Sequence, residues 1–144
     1  MQALSQRADD LLRAIASARR APAEPGSGEV LVGLLGRGIQ ESRSPIMHER
    51  EASRLGLRCF YSLIDFDVLG LPNEALAEVT VAGARAGFAG FNVTHPFKQQ
   101  IVAHLERLSP EAGVIGAVNT VVFSGPATIG HNTDAWGFAQ SFRA

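Results

Sequence analysis

With 144 residues, 46% of them hydrophobic and 19% charged, the chain has apolar material for one cored domain and too little for two. A formal net charge of −1 and 7% aromatic residues leave neither a basic field nor a stacking surface for nucleic acid. No apolar run reaches the ~18 residues that cross a bilayer, no signal-peptide core opens the sequence, and the single cysteine, Cys59, allows no intrachain disulfide, so a cytoplasmic location without membrane contact is expected.

Leu4, Ala8, Leu11, Leu12, Ile15 and Ala18 recur at the spacing of one helix face within residues 3–20. The Pro/Gly/Ser-rich stretch APAEPGSG that follows reads as a linker. Residues 1–28 are therefore expected to form an N-terminal helix and flexible linker ahead of a domain over 29–144. From Glu29 onward strand and helix patterns alternate. EVLVGLLG is read as strand, SPIMHEREASRLG as helix, CFYSLID as strand and LPNEALAEVTVAGARAG as helix. FAGFNVT is then strand, PFKQQIVAHLERL helix, SPEAGVIG a short helical turn, AVNTVVF and TIGHNTD strands, and DAWGFAQSFRA the start of a last helix. Strands that are apolar throughout and separated by helices predict an α/β fold, a three-layer sandwich around a mostly parallel sheet. Ser44-Pro45, His95-Pro96 and Ser109-Pro110 each place a candidate N-cap before a proline at the first helical position, and Gly56 and Gly87 supply helix stops. Cys59, inside an apolar run, reads as an inert buried thiol.

The turn after the first strand contains Gly36 and Gly38 as G-x-G, and Asp65 and Asp67 end a later strand where a ribose-binding acid would be sought. The dinucleotide reading fails, because Glu41 stands at the third glycine position and the helix signal appears only at Ser44-Pro45. What the loop offers instead is Ser42 and Ser44, two hydroxyls one residue apart beside a helix N-terminus, which suit a small carboxylate better than a diphosphate. The alternative is that Ser44 only caps its helix.

Two further constellations carry polar groups to strand ends, where open parallel sheets place their ligand crevice. Asn92 and Thr94 close one strand, and Lys98 follows in the first turn of the next helix. A cation is disfavoured there, so Lys98 is either a solvated lysine or one whose pKa is lowered for proton transfer. Asn119 and Thr120 enter another strand, and Asn132, Thr133 and Asp134 leave the next one just before a helix. Asp134 is either an N-cap or a carboxylate that accepts from a substrate hydroxyl and holds Lys98 by charge. His48, His95, His104 and His131 show no zinc spacing and no G-x-S-x-G elbow is present, so neither a metal site nor a serine hydrolase is expected.

In this order and at these separations, SRSPIMHE, GFNVTHPFKQ, GAVNTVVF and GHNTDAWGF resemble the shikimate dehydrogenase family, with its quinate and aminoshikimate relatives. The resemblance covers residues from about Glu29 onward and corresponds to that family's substrate-binding domain, an α/β sandwich around a mostly parallel sheet. It implies that Ser42 and Ser44 bind the substrate carboxylate, that Thr94 and Asn119 contact ring hydroxyls with Asn92 supporting the pocket, and that Lys98 and Asp134 are the catalytic pair. The implied reaction is the NADP-dependent interconversion of 3-dehydroshikimate and shikimate, with NADP, or NAD, bound mainly by a domain outside this chain; the chain alone is then expected to be inactive. A stand-alone binding or regulatory module for a cyclic hydroxy acid is the other reading. The sequence departs from many members in its first loop, where NPIxHSxSP is replaced by RGIQESRSP, so that Arg37, Gly38 and Glu41 stand at changed positions.

Overall fold

The computed structural model describes residues 2–19, 21 and 24–142. Six strands form one sheet: β1 (Glu29–Gly36), β2 (Arg58–Asp65), β3 (Gly90–Val93), β4 (Arg107–Leu108), β5 (Thr120–Ser124) and β6 (Ala127–His131), in the order β2-β1-β3-β5-β6-β4. β1 lies parallel to β2 and β3, and β4 parallel to β6, while β5 runs antiparallel to both β3 and β6. The helices are α1 (Gln2–Ala18), α2 (Ser44–Arg54), α3 (Leu76–Arg85), α4 (Phe97–Gln100), α5 (Pro110–Ile115) and α6 (Asp134–Ser141). The expected α/β architecture, a mostly parallel sheet flanked by helices, is what the chain adopts.

Side chains alternate across the strands, and the alternation divides the core in two. Leu31 and Leu35 of β1, Phe60 and Ile64 of β2, Phe91 and Val93 of β3 and Val121 of β5 point to the face packed by α1, α3 and α5. Leu34 and Tyr61 point to the other face, with Val32, Cys59 and Leu63, and there α2 packs against β2. Toward β3 and β5 that second face carries a groove of about 330 Å³ lined by Val32, His48, Asn92, Thr120 and Val122.

The N-terminal helix, expected ahead of the domain, packs on it. Ala8, Leu12 and Ala16 are buried in the main core and α1 lies along α3, with Arg85 reaching Ser5 and Asp9 at 3.2 and 3.3 Å. The buried stripe includes Ala16 and leaves Ala18 exposed. The side chain of Leu4 lies outside the described residues, as do residue 20 at the end of the expected helix and residues 22 and 23 of the expected linker.

The expected helix over residues 96–108 is much shorter. It runs only through α4, tightens into a 3-10 turn at Ile101–His104, and gives way to β4. Sheet pairing overrides the helical spacing of Phe97, Ile101, Leu105 and Leu108: Glu106 N–H donates to Thr128 Oγ1 at 3.0 Å and Ser109 N–H to the Gly130 carbonyl at 2.8 Å. Of the three expected Ser/His-Pro helix starts, only Ser109 is a side-chain cap, its hydroxyl accepting from Ala112 N–H at 3.2 Å. Ser44 is the first residue of α2 rather than its cap, and α4 begins after Pro96. The stops are as read: Gly56 and Gly87 take φ of 74° and 86° just beyond α2 and α3, where a left-handed residue ends a helix. Among the described residues no helix is long and apolar enough to cross a membrane.

Candidate functional site

The C-terminal ends of β1 and β3 meet where the first loop begins. Gly36 is required there by close approach, since a Cβ on it would lie 2.6 Å from Thr94 Cγ2 and 2.8 Å from Ile39 Cγ2. Thr94 N–H donates to the Leu35 carbonyl at 2.9 Å and Arg37 N–H to the His95 carbonyl at 3.2 Å, so the two strand ends are stitched together. Thr94 and Lys98 share one cleft, with His95, Gln99 and Ala117.

From this junction a series of polar contacts crosses the second face of the sheet. Tyr61, fully buried, donates its hydroxyl to Asn92 Oδ1 at 2.8 Å, and Asn92 Nδ2 donates to Thr120 Oγ1 at 3.4 Å. Thr120 Oγ1 donates to Asn119 Oδ1 at 3.1 Å, and Asn119 Nδ2 donates to Asp134 Oδ1 at 3.0 Å. The other carboxylate oxygen of Asp134 accepts from Lys98 Nζ at 2.6 Å. Each amide in the series donates on one side and accepts on the other, which fixes its orientation.

The backbone explains why these side chains converge. Val118 N–H donates to the Lys98 carbonyl at 2.7 Å, and Asn119 exchanges bonds with both flanks, its N–H to the His131 carbonyl at 3.0 Å and its carbonyl from Val93 N–H at 2.8 Å. Asn132, buried, turns the chain from β6 into α6 by accepting from Asp134 N–H at 3.0 Å and donating to the Ala117 carbonyl at 3.0 Å. Asn119 also accepts from Thr133 N–H at 3.1 Å and donates to Thr133 Oγ1 at 2.9 Å. Asp134 is therefore not a helix cap: it is the first residue of α6, and its carboxylate is turned to Lys98 and Asn119.

The electrostatics follow from these contacts. The Lys98 hydrogen bond holds the Asp134 carboxyl below its ordinary value against partial burial, with the Asn119 bond and the Lys98 charge adding to it. Asp134 is thus ionised at neutral pH, and Lys98 keeps donor capacity beyond the one bond it makes. Burial pushes the Tyr61 phenol up to about 12, with Ser44 acting in the opposite sense and Cys59 adding slightly. Cys59 is half-buried, and burial followed by the nearby Glu49 charge raises its thiol while Arg19 lowers it, an environment that disfavours the reactive thiolate.

Ser42 and Ser44 lie at the other end of the series. Ser42 Oγ accepts from Ser44 N–H at 3.2 Å, both residues are half-buried, and Ser44 adjoins Tyr61. Among the described residues neither serine hydrogen-bonds Lys98 or Asp134; Tyr61 and Asn92 lie between. One group escaped the sequence reading and another was sought in a different role. Tyr61 reads there as an ordinary strand aromatic, its only signal being a lone tyrosine between polar-ended strands. Asp65, sought as a ribose ligand, turns inward instead: it is 2% exposed and accepts from Gly38 N–H, Ile39 N–H, Gln40 Nε2 and Asp67 N–H at 3.0, 2.9, 3.1 and 3.1 Å. Burial alone would raise its pKa, and these four bonds outweigh that and lower it. Because Asp65 takes up two of the loop's N–H groups, the glycine turn does not fit the pyrophosphate of a dinucleotide. Among the described residues no group of three His, Cys, Asp or Glu side chains is placed to hold a metal ion.

Residues 34–121 match the family model described as the shikimate dehydrogenase substrate binding domain. The chain is 54% identical over 112 residues to a shikimate dehydrogenase (NADP(+)) of Streptomyces avermitilis, which covers 78% of this chain and 38% of the relative. It superimposes on the Thermus thermophilus shikimate 5-dehydrogenase in complex with NADP(H) and shikimate with a TM-score of 0.71 and 39% identity, over 79% of this chain and 41% of that one. The quinate dehydrogenase of Corynebacterium glutamicum in complex with NAD gives a TM-score of 0.72 and 39% identity, over 80% and 41%. The chain thus spans about two fifths of the length of the relatives it matches.

Proposed function

The chain belongs to the shikimate dehydrogenase substrate-binding domain family, and we propose that within it these residues bind shikimate or a close cyclic hydroxy acid and handle the proton of its reacting hydroxyl. Ser42 and Ser44 take the ring carboxylate, Thr94 and Asn119 contact ring hydroxyls, and Asn92, fixed by Tyr61 and Thr120, supports the pocket. Lys98 and Asp134 form the catalytic pair. The observation that carries this reading is the 2.6 Å Lys98–Asp134 contact at the end of an unbroken polar series that begins beside Ser44. The pair lies outside the strand ends, and Asp134, kept ionised, holds the Lys98 ammonium toward the cleft that Thr94 lines. In that position Lys98 Nζ donates to the substrate oxygen as it becomes a hydroxyl, and recovers the proton in the reverse direction.

The redox half of the chemistry is supplied by NADP or NAD, which this reading places mainly on residues outside these 144. The two cofactors accompany different relatives, NADP(H) in the Thermus protein and NAD in the Corynebacterium one. A quinate preference is the second reading, supported by the match to that quinate dehydrogenase. A cytoplasmic location accompanies either.

The test is kinetic. In a protein carrying this domain together with a dinucleotide-binding domain, Lys98→Ala lowers kcat for 3-dehydroshikimate reduction by roughly 10²–10⁴-fold with a smaller change in KM, and Asp134→Asn does similar damage. Because the two act on one proton, the double variant is scarcely worse than the poorer single one. An unchanged kcat in both single variants, with only a lowered melting temperature, would reduce the pair to a structural ion pair.

A further inference from the structure

The loop that presents Ser42 and Ser44 is built around a buried carboxylate. Asp65 ends β2 and accepts from Gly38 N–H and Ile39 N–H of the loop, from the Gln40 side chain, and from Asp67 N–H of the following turn. The contacts continue outward from it. The Ile39 carbonyl accepts from Ser42 N–H at 3.0 Å, and Ser42 Oγ accepts from Ser44 N–H at 3.2 Å. A second anchor holds the same loop from outside: Arg37 donates to Asp67 Oδ1 at 2.6 Å, Asn73 Oδ1 at 2.7 Å and the Leu71 carbonyl at 2.6 Å. We infer that Asp65 is a positioning residue for the carboxylate-binding loop, fixing through Ile39 the backbone from which Ser42 and Ser44 project.

The loop's own sequence argues that this is a matched set. Arg37 and Gly38, which open the loop, are both used. Gly38 supplies an N–H that proline lacks, at a φ of 62° that proline cannot adopt, and that N–H goes to Asp65. Arg37 supplies the outer anchor. Asp65 touches no substrate in this scheme; its effect is exerted through the backbone of residues 38–42, and the inference rests on the reading that Ser42 and Ser44 bind a carboxylate.

Asp65→Asn in the 144-residue chain separates this role from a general structural one. The amide that replaces one carboxylate oxygen turns a donor toward a donor, so at least one loop N–H is left without its acceptor. Amide exchange followed by NMR is expected to accelerate about tenfold or more at Gly38, Ile39 and Ser42 while Leu31 and Phe60 in the core stay protected. Shikimate binding, titrated in the same sample, is expected to weaken about tenfold, while a ring analogue lacking the carboxylate binds as before. Unchanged exchange at Gly38 and Ile39, or equal losses for both ligands, would overturn the inference. If the wild-type chain binds no shikimate, the functional reading fails, and the exchange at Gly38, Ile39 and Ser42 still decides whether Asp65 positions the loop. Should Asp65→Asn not fold, Gln40→Ala removes one of the four donors from an exposed side chain; two- to threefold faster exchange at Gly38 and Ile39 upholds the inference, and no change refutes it.

Discussion

Tyr61 is the only tyrosine in the chain, so its titration reads the floor of the site without interference. The phenol is fully buried, donates to Asn92, and is pushed up to about 12. Phenolate absorbance is accordingly expected to appear about two pH units above that of a free tyrosine. A folded-state pKa above the unfolded value contributes stability that is intact below about pH 10 and is lost as pH rises through about 12. A midpoint at 10 or lower in the native protein would place the hydroxyl in water and break the series at its first link. Asp65 and Asp134 act in the opposite sense, since both carboxyls are held below their ordinary value: their stabilisation is present above about pH 4 and is lost as pH falls through the lowered values. At this scale the sequence shows which residue types stand at strand ends, and less of how they pair. Lys98 and Asp134 are 36 residues apart, and the choice between a cap and a carboxylate partner is settled only by where β6 delivers α6. Asp65 shows the limit most clearly, because an acid after an apolar strand looks the same whether it faces a ligand or its own backbone.

At the scale of elements, α1 decides how far the domain extends. Leu12 is fully buried in the core shared with β1, β2 and α3, so Leu12→Ala is expected to cost about 2–5 kcal/mol in chemical denaturation. A helix merely tethered by a linker would give a change within about 0.5 kcal/mol. The helix was legible from its spacing, but its docking partner was not, because an apolar stripe says nothing about which surface it meets. α4 shows the converse. Phe97 and Ile101 have the spacing of a helix face and are fully buried, yet residues 107–108 pair with β6, a long-range contact that local spacing does not carry. The strands were legible almost throughout, since a buried parallel strand needs a continuous apolar run and little else can use one.

For the whole molecule, the second face of the sheet, from the Ser42–Ser44 loop to the Lys98–Asp134 pair, is the proposed single binding surface for a carboxylated cyclic polyol. The groove over Val32, Asn92 and Thr120 and the cleft at Thr94 and Lys98 lie along that path. The opposite face is filled by α1, α3 and α5. Titrating the isotopically labelled 144-residue chain with shikimate, and following every backbone and side-chain amide by NMR, decides whether that surface binds. Saturable shifts are expected at Ser42, Ser44, Thr94 and the side-chain amides of Asn92 and Asn119, with the amides of α1 and α3 unmoved. A natively folded chain whose amides do not respond, or respond along α1 and α3 instead, would contradict the proposal.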